Sequence, residues 1–406
     1  MVDYSRFLSK LATSVKASEI RELLAIIGRR KDVISFAGGI PDPALFPREE
    51  LAEIAREVVS KYGDIALQYG ETRGAIEART EICRFLERAK GVKCEPEANI
   101  IITTGSQSGL DLVARVFIDP SDVVLTENPT YLAAIGAFKN AGARFIGVPL
   151  DEKGIKTDQL EQKLRELPSE ERKRVKFLYV IPVAQNPAGV SMSLERKKHL
   201  LEIASRYDLL VVEDDPYSYI VFDEAADRTT LKSMDKEERV IYLGTVSKIL
   251  APGLRIGWIV GGADVIRKIE LIKQYTDLHT PTLNQLIVAE AIKRGIVDKV
   301  IARALPHYRA KRDTMLKAME EYFPEYVWYS KPIGGLFIFA YVHKKGFNAG
   351  LLLQKAIEEY KVAYVPGKSF HVDGTGENSM RINFSYPTHE QIYEGIKRLS
   401  MLIKEA

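Results

Sequence analysis

The sequence predicts an α/β protein: a large domain on a mostly parallel, seven-stranded sheet with helices on both faces, and a smaller α+β domain. Three observations carry this expectation. From Asn99 onward, apolar runs at 100–103, 123–125, 145–148, 177–181, 209–212, 240–243 and 256–260 are separated, for the most part, by helical patterns, as in strands joined by crossover helices. After about residue 290 the character changes. A long helical pattern from Ala302 to Tyr322 is followed by short strand patterns at 336–341, 362–365 and 380–384. Finally, 406 residues suit two or three domains of roughly 150 residues each and bury a large core.

In chain order, Ile20, Leu23, Leu24 and Ile27 form a helical stripe that runs out at Gly28. Arg29, Arg30 and Lys31 follow as favourable partners of a helix C-terminus. A Gly/Pro-rich loop begins at Ile34. A second helix follows Pro47, with Leu51, Ile54, Ala55, Val58 and Val59 at helical spacing, Glu49 and Glu50 in its first turn, and an end at Gly63. Residues 1–60 are assigned to an N-terminal arm and helix belonging to the small domain, 61–290 to the large domain, and 291–406 to the C-terminal part of the small domain. Both ends of the chain therefore build the small domain. No internal repeat or low-complexity linker appears.

Composition narrows the function classes. Lys+Arg 58 against Asp+Glu 55 leaves a net charge of +3, too little for a nucleic-acid or acidic-membrane binder. Cys83 and Cys94 are expected to form no disulfide framework and match no zinc or redox spacing, so a reducing cytoplasm is the expected compartment. The six histidines are scattered without ligand spacing, so no metal site is expected. Asp3, Arg6, Lys10 and Lys16 interrupt any secretory signal. The longest uncharged stretch, Phe177 to Leu194, contains Pro182, Pro187 and Gly189 and cannot be a spanning helix.

Ligands of open α/β sheets bind beyond the carboxyl ends of the strands, so residues just after each strand matter most. The first strand runs into Thr104-Gly-Ser-Gln-Ser-Gly and a helix carrying Leu110, Val113, Ala114 and Phe117 on one face. Small residues at a helix N-terminus offer backbone N–H groups to a phosphate, and equally serve as turn and cap. The segment is neither a P-loop nor a GxGxxG fingerprint. Tyr131 follows the next strand, as a ligand-facing aromatic or a packed helix-start residue. Asn186, in Gln185-Asn-Pro-Ala-Gly189, either faces the site or caps its turn. Glu213, Asp214 and Asp215 at a strand end imply a cationic partner where they are buried, or a solvated turn. Lys248 lies in Gly244-Thr-Val-Ser-Lys-Ile-Leu-Ala-Pro-Gly-Leu-Arg-Ile-Gly257. Hydroxyls, a Pro-Gly turn and an apolar return strand form a desolvated setting that lowers an amine pKa and makes it a nucleophile toward aldehydes.

Ser247-Lys248-(x6)-Arg255-x-Gly257, together with Asn186-Pro187, Asp214-x-x-Tyr217 and Arg381, resembles the class I/II aminotransferases of the fold-type I pyridoxal-phosphate enzymes, over essentially the whole chain. Ser35-Phe-Ala-Gly-Gly-Ile-Pro-Asp-Pro, Leu67-Gln-Tyr-Gly70, Val211-Val-Glu-Asp-Asp-Pro-Tyr217 and Asp277-Leu-His-Thr-Pro281 are similar to the 2-aminoadipate, kynurenine and aromatic amino-acid subgroup. The resemblance implies that Lys248 bonds the cofactor aldehyde and then carries the proton between substrate Cα and cofactor C4′. Asp214 would pair with the pyridine nitrogen, Asn186 and Tyr217 with the ring hydroxyl, and Tyr131 would stack on the ring. Ser106, Gln107, Ser247, Arg255 and the hydroxyl of Thr245 would surround the phosphate, with Tyr69 reaching it from the other subunit of a homodimer. Arg381 would clamp the substrate α-carboxylate, with Gly39 closing nearby and Asn186 adjoining. Two positions depart from the family: Thr245 stands where serine is usual, and Ala188 replaces the frequent threonine.

Arg21 lies at a position that in the subgroup can meet a distal carboxylate, and equally suits a surface residue paired with a glutamate. The expected reaction moves an amino group between an L-amino acid (aromatic, 2-aminoadipate or similar) and a 2-oxo acid such as 2-oxoglutarate. A lyase or racemase on the same scaffold, and a cofactor-sensing regulatory module, are the alternatives. A regulator of that kind needs a DNA-binding segment ahead of the family pattern, and here that pattern starts within about the first 20 residues.

Overall fold

The computed structural model describes residues 2–15, 30–223 and 226–406. The stripe from Ile20 to Gly28 lies outside the described residues. The sheet that positions everything else runs β2 (Ile100–Thr103), β9 (Gly257–Val260), β8 (Val240–Thr245), β7 (Leu210–Asp215), β6 (Val175–Val180), β3 (Val123–Asn128), β4 (Arg144–Asp151) and β5 (Gly154–Ile155). The seven expected strands are all present, and five of them form one parallel block, β8-β7-β6-β3-β4. β9 is antiparallel to both β8 and β2. The short β5 extends the sheet to eight by folding back on β4; two residues carry no periodicity from which to read a strand.

Every residue of β2 and β8 is buried, as expected of strands covered on both faces. The helix Ser106–Phe117 buries Leu110, Leu112, Val113 and Ala114. It lies close to the sheet because Gly109 has no side chain: a Cβ there would stand 3.2 Å from Leu243 Cδ2 and 3.4 Å from Ile259 Cγ1. The helix Arg48–Ala66 is kinked at Tyr62, whose φ/ψ of −125°/21° is non-helical, one residue before the expected stop at Gly63, and then continues to Ala66.

Beyond residue 290, the helix Ile296–Tyr322 packs against the helix His389–Glu405. A second, antiparallel sheet runs β10 (Val327–Tyr329), β11 (Phe337–Val342), β14 (Ser379–Asn383), β13 (Val365–Pro366). The chain's early segment joins this region. β1 (Ile34–Ser35) pairs in parallel with β12 (Val362–Ala363), and Asn383 N–H donates to Phe36 O at 2.9 Å. The Gly/Pro-rich loop is therefore stitched to both β12 and β14 before it reaches the large sheet.

The cysteines correct the sequence reading: Cys83 and Cys94 are disulfide-bonded, with Cα atoms 5.7 Å apart. The helix Ile76–Lys90 ends at Gly91 in the left-handed conformation, φ 66°. Gly91 N–H returns to Glu87 O and Val92 N–H to Leu86 O, a C-cap that doubles the chain back along the helix. Cys94 is thereby carried alongside Cys83. Among the described residues, no helix is long and apolar enough to cross a membrane and no cluster of His, Cys, Asp and Glu could hold a metal.

Candidate active site

Strand ends of the large sheet converge with β14 and the N-terminal loop on one cavity. Ser106 and Gln107 open the helix after β2, and Tyr131 follows β3. Asn186 follows β6, Asp214 ends β7 with Tyr217 just beyond, Thr245 ends β8, and Ser247 and Lys248 come next. Arg255 precedes β9, Arg381 projects from β14, and Gly39 comes from the N-terminal loop. All of these line the same cavity of about 310 Å³. Two candidates do not. Tyr69 is 79% exposed, with its ring edge-on to His279 at 5.9 Å and outside the cavity lining; Arg21 lies outside the described residues.

Lys248 Nζ donates to Gly39 O at 2.7 Å. Burial, then the nearby Arg381 and Arg255 guanidinium groups, push its pKa down to about 8. At pH 7 about one in ten such amines has a free lone pair, against fewer than about one in a thousand for an exposed lysine.

The three acids at the end of β7 divide according to the alternation of a strand. Glu213 accepts from Leu231 N–H and Lys232 N–H, both at 2.8 Å, capping a short helix. Burial pushes it up to about 8. Asp215 accepts from Ser218 N–H, Ser218 Oγ and Tyr242 Oη. Asp214 points the other way. Its Oδ2 accepts from Tyr179 Oη at 2.8 Å, while its Oδ1 is buried with no hydrogen-bond partner among the described residues. Burial, opposed by the Tyr179 bond and aided by Asp215, raises Asp214 to about 7. A buried carboxylate oxygen without a donor is costly, and a cationic N–H presented from the cavity would satisfy it.

At the opposite end the cavity is lined with donors. Ser106 and Gln107 open the helix after Gly105, whose φ is 74°. A Cβ at Gly105 would sit 2.9 Å from Arg255 Cζ, and one at Gly257 would sit 2.7 Å from Ser106 N. Both positions demand glycine for close approach. Arg255, itself left-handed at φ 52°, donates to Thr104 O and Pro252 O at 3.3 Å each. Thr245 Oγ1 and Ser247 Oγ lie 2.8 Å apart, and Thr245 Oγ1 also donates to Ile256 O. The extra methyl of Thr245 is accommodated in a residue that is 4% exposed. Helix N–H groups, hydroxyls and a guanidinium together suit a phosphate.

Arg381, on β14, is buried and bridges the segment after β6 and the N-terminal loop. Nη1 donates to Asn186 Oδ1 and Nη2 to Ala37 O, both at 3.0 Å. Its guanidinium lies 4.2 Å from the Phe337 ring centroid and 5.1 Å from that of Phe370. Nε has no partner among the described residues. Burial lowers its pKa to about 10, which leaves it charged at neutral pH. Burial likewise raises the Tyr217 phenol, against a hydrogen bond with Asn186.

Sequence reasoning missed Tyr179, Phe337, Phe370 and the Ala37 carbonyl. Tyr179 sits inside an apolar strand where only its hydroxyl distinguishes it. Phe337 and Phe370 read as ordinary core. A carbonyl has no side-chain signature at all.

A buried amine and a buried carboxylate facing one cavity, with a phosphate-type cradle and an arginine clamp at the carboxyl ends of a parallel sheet, define a fold-type I transferase site. The family described as "Aminotransferase class I and II" matches residues 31–399, so the chain belongs to the class I and II aminotransferases and is a transaminase. It is 46% identical to aromatic-amino-acid aminotransferase 1 of Thermococcus litoralis, over 100% of this chain and 95% of that one. A Pyrococcus horikoshii kynurenine aminotransferase, solved in complex with PMP, KYN as substrates and KYA as products, superposes with a TM-score of 0.94 at 46% identity, covering 99% and 98% of the two chains. The alpha-aminoadipate aminotransferase of Thermus thermophilus, complexed with N-(5'-phosphopyridoxyl)-L-leucine, gives a TM-score of 0.90 at 40% identity, covering 100% and 99%.

Proposed function

We propose that this aminotransferase uses pyridoxal 5'-phosphate to move an amino group between an L-amino acid, aromatic or 2-aminoadipate-like, and a 2-oxo acid such as 2-oxoglutarate. The observation that carries the cofactor is the buried, unpartnered Asp214 Oδ1, sharing a cavity with Lys248 and the Gly105–Arg255 cradle. Bound there, the cofactor supplies an aldehyde to receive the amino group and a conjugated ring that holds the electron pair released at the substrate Cα.

The chain's own groups would do the rest. Lys248, with its depressed pKa, would hold the cofactor aldehyde through its neutral amine and would take and return the proton at the substrate Cα. Asp214 would keep the ring nitrogen protonated, Asn186 and Tyr217 would hold the ring hydroxyl, and Tyr131 would stack on the ring. Ser106, Gln107, Thr245, Ser247 and Arg255 would hold the phosphate. Arg381 would orient the α-carboxylate, with the Ala37 and Gly39 carbonyls accepting from Arg381 and Lys248 beside it. Arg21 would recognise a distal carboxylate, so Arg21→Ala should raise KM for glutamate and 2-aminoadipate while leaving aromatic substrates unchanged.

Residues 1–60 and 291–406 act as one small domain against 61–290. The active unit is a homodimer. Tyr62, Ile65, Leu67, Tyr69 and Tyr275 are all exposed large hydrophobic side chains in the single chain, the kind of surface that association covers. Sedimentation showing an active monomer would remove the dimer and the role of Tyr69. Mixing cofactor-loaded enzyme with single amino acids should convert the lysine-bound absorption band to the pyridoxamine form. A band that survives every amino acid, or release of ammonia instead, would overturn the transamination reading. Borohydride should trap cofactor on the wild type and none on Lys248→Ala.

A further inference from the structure

Asp214 can pair with a protonated ring nitrogen only as an anion, and burial opposes that charge. Tyr179 lies on β6, the parallel neighbour of β7, and both side chains are buried. The Tyr179 ring is held edge-on by Phe138 at 5.4 Å. That packing fixes the phenol so that Oη donates to Asp214 Oδ2 at 2.8 Å, leaving Oδ1 as the oxygen without a partner among the described residues.

We propose that Tyr179 is a positioning residue for this transaminase: its hydrogen bond fixes the Asp214 carboxylate, turns Oδ1 to the cavity and keeps the group anionic for a cationic ring nitrogen. The inference rests on the pyridoxal-phosphate reading above. The titratable groups around the pair are Asp215 and Tyr217 on its own segment, Tyr179 from β6, Glu127 and Tyr131 from the end of β3, and Lys248, Arg255 and Arg381 across the cavity. Of the interactions acting on Asp214, burial and Asp215 favour its protonated form, and the Tyr179 bond alone opposes them. Glu127 is raised to about 8 by burial and so brings little charge at neutral pH. The Tyr179 phenol is itself held far above its ordinary range by burial and then by Asp214, so it remains a donor wherever the enzyme works.

The test reads cofactor binding rather than turnover. Cofactor-free wild type and Tyr179→Phe are titrated with pyridoxal phosphate from about pH 5 to 9, and with the carbocyclic analogue bearing C–H in place of the ring nitrogen. In Tyr179→Phe, affinity for pyridoxal phosphate should fall about 10-fold or more near neutral pH, the scale of a hydrogen bond to a charged acceptor. The acid limb of the affinity profile should move to higher pH, and affinity for the analogue should be unchanged. An unmoved acid limb, or an equal loss for the analogue, overturns the proposal. Should Tyr179→Phe fail to fold, 3-fluorotyrosine at position 179, a stronger donor, should move the limb to lower pH; no movement overturns the proposal just as directly. Wild type that binds no pyridoxal phosphate would instead overturn the cofactor reading, so the two failures are distinct.

Discussion

Replacing Lys248 by methionine should make the cofactor-free protein more stable. The Lys248 amine is buried and its pKa is pushed down to about 8, from 10.5 for an ordinary lysine. Below pH 8 the folded state must carry an ammonium that burial and two guanidinium groups disfavour, whereas the unfolded chain carries it freely. Between pH 8 and 10.5 the unfolded state binds more protons than the folded state, so stability rises with pH and the handicap shrinks. Above 10.5 neither state is charged and the handicap is gone. A shift of roughly two to three units at about 1.4 kcal/mol each makes the full handicap about 3 kcal/mol. The bond to Gly39 O returns about 1 kcal/mol of this, so a net gain of about 2 kcal/mol is expected for Lys248→Met near pH 7. Urea unfolding of both apoproteins from about pH 7 to 10.5 measures it. Subtracting the variant cancels the buried tyrosines, which titrate in both. A wild-type-minus-variant difference that stays flat across that window would refute the assigned burial of the amine.

Arg381→Lys cannot span Asn186 and Ala37 with two prongs; kcat/KM for amino acids should drop about 100-fold. The half-reaction of the corresponding amines, which lack the α-carboxylate, should change far less, and an equal loss for both would remove the clamp. Gly105→Ala forces a side chain onto Arg255 from a backbone at φ 74°. Fluorescence titration should show pyridoxal-phosphate affinity down by about 10-fold or more, with pyridoxal, lacking the phosphate, little affected. Reducing Cys83–Cys94, which closes a loop of sequence separation 11, should lower the stability of that region by about 3 kcal/mol. Urea midpoints with and without reductant provide the check.

The large sheet was legible because its covered strands read as apolar runs such as Ile100–Thr103 and Val240–Thr245. Residues brought to the cavity by those strand ends were legible for the same reason: once the strands are placed, Asn186, Asp214 and Lys248 fall at one edge. The two-residue β1 and β5 were not, because pairing over so short a span is decided by the partner and not by local pattern, whereas β12 falls within the expected run at 362–365. The loss of β1 hid the stitch between Ile34 and Val362, and with it the delivery of the Ala37 carbonyl to Arg381. The disulfide was hidden too: the left-handed turn at Gly91 that brings Cys94 back is a backbone event, and nothing in the spacing of two cysteines announces it.

Glu213, Asp214 and Asp215 occupy consecutive positions of β7, yet one caps a helix, one faces the cavity and one braces a turn. What separates them is parity: successive residues of a strand face opposite sides, so the middle acid alone is delivered to the ligand. A single inserted or deleted residue upstream in β7 would exchange odd for even. The cavity would then receive Glu213 or Asp215, each longer or already engaged, and the composition of the segment would scarcely change. In this stretch the count of residues matters as much as their identity, and length variants should be worse tolerated than conservative replacements at either flanking acid.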